Sequence, residues 1–142
     1  MTKQLKRKKE IKNLFNRIKS NFDFNGIPLS ITVKEKGKAN SLACDYTILS
    51  GIKKITVIVS INSIKKRVKE GYLDDYYKGR AKKINPFILG NRHLTYRFII
   101  LHEISHAIDL IKNYGFEKYC KLDDITRETS ADDNALNNLK RF

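Results

Sequence analysis

His102, Glu103 and His106 are the residues of this chain whose types and spacing could do chemistry together. They spell H-E-x-x-H within residues 98–111, a run that is otherwise almost wholly apolar. At about 3.6 residues per turn, the two histidines fall one turn apart on one face of a helix. Two imidazoles so placed can hold one Zn²⁺, and Glu103 then stands where it can take a proton from a water activated by the metal. The chain has three histidines, and two of them have this spacing. The plainer reading of the same residues is a pair of hydrogen-bonded histidines on a helix surface.

A catalytic zinc takes three protein ligands and keeps one position open. His93 lies about 13 Å from His102 along the axis of a shared straight helix, too far to reach the same ion. The acidic candidates come after the motif. Glu128 and Asp132 are i and i+4, so a helix puts both carboxylates on one face. Ala131 and Ala135 are small enough to let that helix pack closely against the motif helix. Enough chain separates His106 from Glu128 for a turn and an antiparallel return. Asp132 would then stand where it can accept the free N–H of a ligating histidine. Asp123, Asp124 and Asp133 compete for the ligand role on spacing alone, and a solvated acidic helix face is the other reading of Glu128 and Asp132. Asp109, one turn beyond His106, suits a hydrogen-bonding role better than ligation.

H-E-x-x-H followed by Glu-x-x-Ala-Asp at 128–132 resembles the gluzincin class of zinc metallopeptidases. The resemblance implies that His102, His106 and Glu128 are zinc ligands, that Glu103 is the general base, and that Asp132 orients the first histidine. The order of elements is also similar to small ImmA/IrrE-type and SprT-like metallopeptidase domains. The likeness covers residues 94–139 and extends to the upstream strands only by topology. The chain departs from the SprT-like pattern in having no histidine after His106. The implied activity is zinc-dependent hydrolysis of peptide bonds in a protein or peptide substrate. Alternatives are a DNA-associated (SprT-like) protease and a non-catalytic, zinc-stabilised, basic nucleic-acid-binding module.

The elements that must position these residues follow from periodicity. Ile11, Leu14, Phe15 and Ile18 predict an amphipathic helix over residues 3–20. Ile27, Leu29, Ile31 and Val33 alternate with polar residues, as a half-buried strand does. A second extended stretch at 41–49 turns at Ser50-Gly51 into a β-branched strand at 52–61. Asn62-Ser63 can cap a short helix that stops at Gly71. Residues 72–91, with Gly79, Pro86, Gly90 and several tyrosines, show no period and are expected to form a loop-rich insertion. Asn91 can cap the motif helix, which ends near 113–115, and after a linker a last helix covers 125–139. The expected fold is therefore α+β. It is one zincin-like domain over 1–142, with a basic N-terminal helix (1–20) and a small antiparallel sheet of about three strands. The long motif helix is followed by a C-terminal helix that supplies the third ligand. An extended substrate would add to a sheet edge, with 41–49 the nearest candidate. His93, Tyr114, Tyr119 and the Tyr76-Tyr77 pair are candidates to stabilise an oxyanion.

Twenty-nine lysines and arginines against 15 acidic residues give a net charge of +14. Such a surface attracts nucleic acid, but a merely solvated basic surface fits the same composition, because no aromatic motif is interleaved with the clusters. No apolar run approaches the ~20 residues of a membrane span, so no membrane partner is expected. The N-terminus has no apolar signal core, which makes a cytoplasmic location the expectation. Cys44 and Cys120 read as two free, mostly buried thiols rather than a disulfide framework.

Overall fold

The computed structural model describes residues 2–37 and 39–142. Among them are six α-helices and three strands, an α+β arrangement. Helix α1 (Lys3–Lys19) is capped by the Thr2 hydroxyl and buries Ile11, Phe15 and Ile18 along one stripe. Strands β1 (Leu29–Lys34), β2 (Ser41–Thr47) and β3 (Gly51–Ser60) follow, then α2 (Ile61–Glu70) and α3 (Arg80–Ile88). The motif helix α4 (Arg92–Ile108) runs into one π-helical turn, Asp109–Asn113. Helix α5 (Phe116–Lys121) and helix α6 (Asp124–Asn138) complete the described elements, with a short 3₁₀ turn, Leu139–Arg141, at the end.

The sheet order is β1-β3-β2. β2 and β3 form the expected antiparallel hairpin, but β1 pairs parallel with β3, from Leu29 opposite Ile55 to Lys34 opposite Ser60. The sheet is thus mixed rather than antiparallel. The chain leaves β1, passes to the far edge as β2, and returns through the centre as β3. Alternation marks which face of a strand is buried and is silent about which neighbour lies beside it, so both pairings read alike. On β3 the inward residues Ile55, Val57 and Val59 are fully buried and meet the helices.

Helix α4 is buried almost all round from Thr95 to Ala107 because the other elements enclose it. That enclosure explains why its sequence is apolar on every face rather than along one stripe. A single apolar cluster joins Ile11 of α1 to Leu139 after α6. Ala131 and Ala135, fully buried on α6, let that helix lie close along α4.

Two segments differ from expectation. Residues 80–88 form α3, not a loop, with Pro86 inside the helix and Arg80, Ile84 and Ile88 buried along one stripe. The turn before it is tight. Gly71 has φ +74°, and a Cβ there would stand 2.6 Å from Asn85 Oδ1. The Asn85 side chain accepts from Tyr72 N (2.7 Å) and donates to Tyr72 O (3.0 Å), which fastens the 72–79 segment to α3. Helix α5 occupies part of the expected linker, and its Phe116 ring stacks on Tyr46 of β2 with centroids 3.7 Å apart. Cys44 is half-buried and Cys120 is exposed, so the expectation of two mostly buried thiols fails for Cys120. Among the described residues no helix is long and apolar enough to cross a membrane.

Candidate metal centre

His102 and His106 project from the same face of α4 with their rings nearly perpendicular and their Nε2 atoms 3.0 Å apart. Glu128, on α6, meets them from the opposite side. Its Oε2 lies 3.0 Å from His102 Nε2 and its Oε1 lies 3.4 Å from His106 Nε2. One ligand atom from each of the three residues falls within 4.8 Å of the others. Bonds of ~2.0–2.1 Å to a tetrahedral ion put ligand atoms about 3.3 Å apart, close to the separations found here.

The outer nitrogen of each imidazole is already engaged. His102 Nδ1 lies 2.8 Å from Asp132 Oδ1, and Asp132 is completely buried. An ionised carboxylate only accepts, so Nδ1 carries a proton and Nε2 is the nitrogen turned toward Glu128. His106 Nδ1 lies 2.8 Å from the Tyr119 hydroxyl, which can accept its proton and leave Nε2 free in the same sense. Asp132 is itself gripped by Arg80, whose Nε donates to Oδ2 (2.8 Å) and whose Nη2 donates to Oδ1 (3.3 Å). The Tyr77 hydroxyl donates to Oδ2 as well (2.7 Å). Arg80 is 3% exposed, lies 3.6 Å from Glu128 Oε2, and packs under the Tyr72 and Tyr76 rings.

Two facing Nε2 atoms and a carboxylate at these distances repel one another unless a proton or a metal cation lies among them. Glu128 Oε2 is buried and aligned with no hydrogen-bond donor. Glu103, Glu128 and Asp132 gather three carboxyl groups around the two imidazoles, with the guanidinium of Arg80 shared among Asp132, Glu128 and Asp75, so the centre favours added positive charge. The titration behaviour has the same cause. Burial alone would lower the His102 imidazole, but the Asp132 and Glu128 carboxylates outweigh it and push it up to about 10. Burial would raise Glu128 and Asp132, yet the imidazoles, and for Asp132 also Arg80, hold both below the usual carboxylate range. Glu103 moves the other way: burial raises it, and the two imidazoles only partly offset that. The donor set therefore fits a divalent metal.

The other sequence candidates lie apart from this cluster. His93 is exposed near the start of α4 and pairs with Glu10 Oε1 at 3.4 Å. Asp123 caps α6 by accepting from Thr126 N at 2.7 Å, and Asp133 pairs with Lys83. Asp109 is buried and accepts from Ser130 Oγ (2.7 Å) and Asn113 Nδ2 (2.6 Å), which ties the end of α4 to α6. The Tyr77 and Tyr119 hydroxyls are committed to Asp132 and His106. Tyr76 lines the cavities on both sides of Glu103.

Sequence reading missed Arg80 altogether. Its signal, an arginine one turn before Ile84 and Ile88 on the same stripe, is weak because arginine is seldom buried. No protein family, curated protein or solved structure matches this chain. Its functional reading therefore rests on the geometry of the centre.

Proposed function

We propose that this chain is a zinc-dependent metallopeptidase of the gluzincin kind, hydrolysing peptide bonds in a protein substrate. The observation that carries the reading is the convergence of His102 Nε2, His106 Nε2 and the Glu128 carboxylate, with the buried carboxyl of Glu103 beside them, 3.9 Å from His102 Nε2. Held by those three residues, Zn²⁺ would supply a Lewis acid that polarises a carbonyl and makes water more acidic.

The chain's own residues account for the rest of the chemistry. Glu103, raised by burial, takes a proton from the attacking water and returns it to the departing amine. Asp132, held by Arg80 and Tyr77, keeps His102 in the Nδ1–H tautomer, and Tyr119 does the corresponding work for His106. Tyr76 is 45% exposed and borders both cavities, so it is the tyrosine best able to donate to the carbonyl oxygen as charge develops there.

Substrate room supports the same reading. Cavities of about 300 Å³ and about 370 Å³ flank the centre and share Asn40, Tyr76, Glu103 and Glu128. Ser41, Leu42 and Cys44 of β2 border the second, and β2 is an edge strand, so an extended peptide can add along it. The first cavity is walled by Lys66 and Arg67, the second by Leu110, Phe116 and Tyr119. Both cavities also carry charge of both signs, Asp75 and Arg80 in the first and Asp124 and Arg127 in the second. The zincin-like character of the fold and a cytoplasmic location go with this reading.

The deciding experiment is metal analysis of the purified protein alongside cleavage of an unfolded protein. About one zinc per chain and cleavage that is lost on chelation and restored by Zn²⁺ are expected, with both lost in His106→Ala. A chain that carries one zinc and cleaves no unfolded protein overturns the hydrolase reading. Absence of bound metal overturns the centre itself.

A further inference from the structure

A second groove, of about 720 Å³, runs between α1 and the first half of α4 and shares no lining residue with the cavities beside Glu103. Lys6, Lys9 and Arg17 line it from α1, and His93 and Arg97 from α4. Its one acidic residue, Glu10, is already taken up by Arg92 Nη2 (3.8 Å) and His93 Nδ1 (3.4 Å). Among the described residues, Lys6, Lys9, Arg17 and Arg97 have no carboxylate partner. Arg97 Nε is buried and makes no hydrogen bond, so the outer guanidinium nitrogens are the ones left to meet a ligand in the groove. The paired outer nitrogens of a guanidinium present two parallel donors, which match two oxygens of one phosphate.

The layout of the charges selects the kind of anion. Lys6, Lys9, Asn13 and Arg17 recur at three- and four-residue spacing, so they form one line down α1. At 1.5 Å per residue, Lys6 and Arg17 stand about 16 Å apart along the axis. One phosphate cannot span that line, whereas a nucleic-acid strand with a charge every ~3.4 Å can. The aromatic residue of the groove, Tyr96, is 3% exposed and offers no face for a base to stack on.

We propose that the α1–α4 groove binds the phosphate backbone of a nucleic acid independently of sequence. Arg97 holds one phosphate, and Lys6, Lys9 and Arg17 follow its neighbours. The site is separate from the metal centre and does not depend on any reading of it.

The test is binding of a labelled mixed-sequence DNA duplex, followed by fluorescence anisotropy from about 50 to about 200 mM salt. Lys6, Lys9 and Arg17 are exposed, so their joint replacement by glutamine leaves the core intact. That triple variant should lose affinity at least tenfold at low salt, and the slope of log affinity against log salt should shrink by about three. Arg97→Gln should shrink it by about one. Replacing exposed Lys53, Lys54 and Lys118 by glutamine removes the same charge elsewhere and should cost much less. His106→Ala should bind the duplex like the unaltered protein. Equal losses from the two triple variants overturn the groove, because binding would then follow net charge alone. No binding of the unaltered protein at low salt overturns it too. Loss of binding to vesicles containing anionic lipid, with duplex binding unchanged in the groove variants, overturns it in favour of a membrane surface.

Discussion

Glu103 is buried and Glu128 partly buried, and their neighbours move their proton affinities in opposite directions, as the proposed roles require. Glu103 is removed from water without a hydrogen-bonded cation, so its proton affinity rises, as a group that must accept and release a proton requires. Glu128 faces two imidazoles, which hold it ionised and ready to ligate. Glu103→Gln should therefore retain zinc while hydrolysis falls by about 10²-fold or more, read as kcat on a peptide beside metal content. Proteolysis at an undiminished rate in that variant would remove Glu103 from the base role. The ligand assignment is tested by comparing two acids on one helix. Glu128→Ala should weaken zinc binding by orders of magnitude, whereas Asp133→Ala, which only releases the exposed pair with Lys83, should leave it nearly unchanged in a competition titration. Equal effects would mean that the third ligand is some other group. Asp132→Asn falls between these: it disturbs the tautomer of His102 without removing a ligand, and about 10–100-fold in metal affinity is the expected loss.

Three elements carry the centre: α4 holds the histidines, α6 brings the carboxylates, and α3 braces them through Arg80. The stripe Arg80-Ile84-Ile88 gives α3 two anchors in the core, and both isoleucines are fully buried. Ile84→Ala should cost about 2–5 kcal/mol in denaturant unfolding. It should also weaken zinc binding, because Arg80 moves with the helix that the isoleucine seats. Leu89→Ala, 52% exposed just past the same helix, should do neither. A large stability loss with unchanged zinc affinity would show that Arg80 does not position Asp132. Much of this element level was legible in the sequence. The ranges of α1, the three strands, α4 and α6 follow from period, caps and turn residues. Helix α2 instead begins at Ile61 under a Ser60 cap rather than at Asn62-Ser63, because Ser60 at the end of β3 already offers its hydroxyl to Ser63 N. The pairing of β1 with β3 was not legible, because a strand's alternation carries no address for its neighbour. Helix α3 was hidden by Gly79, Pro86 and Gly90, turn signals that a short helix seated on two core isoleucines overrides. Helix α5 is a little over one turn long and has no buried residue, so no periodic signal marks it. Within the centre, the pairing of Glu128 and Asp132 was readable from i, i+4 spacing, whereas Arg80 depends on a tertiary contact that no local pattern records.

At the scale of the whole molecule, a strongly basic protein encloses a small cluster of buried carboxylates and imidazoles, and that cluster couples folding to protons and, under the proposed function, to metal. In the metal-free protein the His102 imidazole is raised from its ordinary 6.5 to about 10. A group raised on folding stabilises the fold fully below its unfolded value, and that contribution drains away as pH climbs through the folded value. The metal-free protein should therefore lose this stabilisation progressively between about pH 6.5 and 10. Under the proposed function zinc would take the position that the proton held, so each ion bound below about pH 10 would expel one proton. Its apparent affinity should then rise about tenfold per pH unit over that window, or ~1.4 kcal/mol of added stabilisation per unit at fixed free zinc. The two effects run in opposite directions, so the gap in Tm between the zinc-loaded and the chelated protein should widen steadily from about pH 7 to about pH 9. Scanning calorimetry at a free Zn²⁺ held by a chelator buffer measures that gap. Proton release on metal binding, titrated in buffers of different ionisation enthalpy, gives the stoichiometry independently. A gap that stays level or narrows across this window would mean that no proton held at His102 competes with the metal. Asp132 and Glu128 would then stabilise the fold through Arg80 rather than through the imidazole.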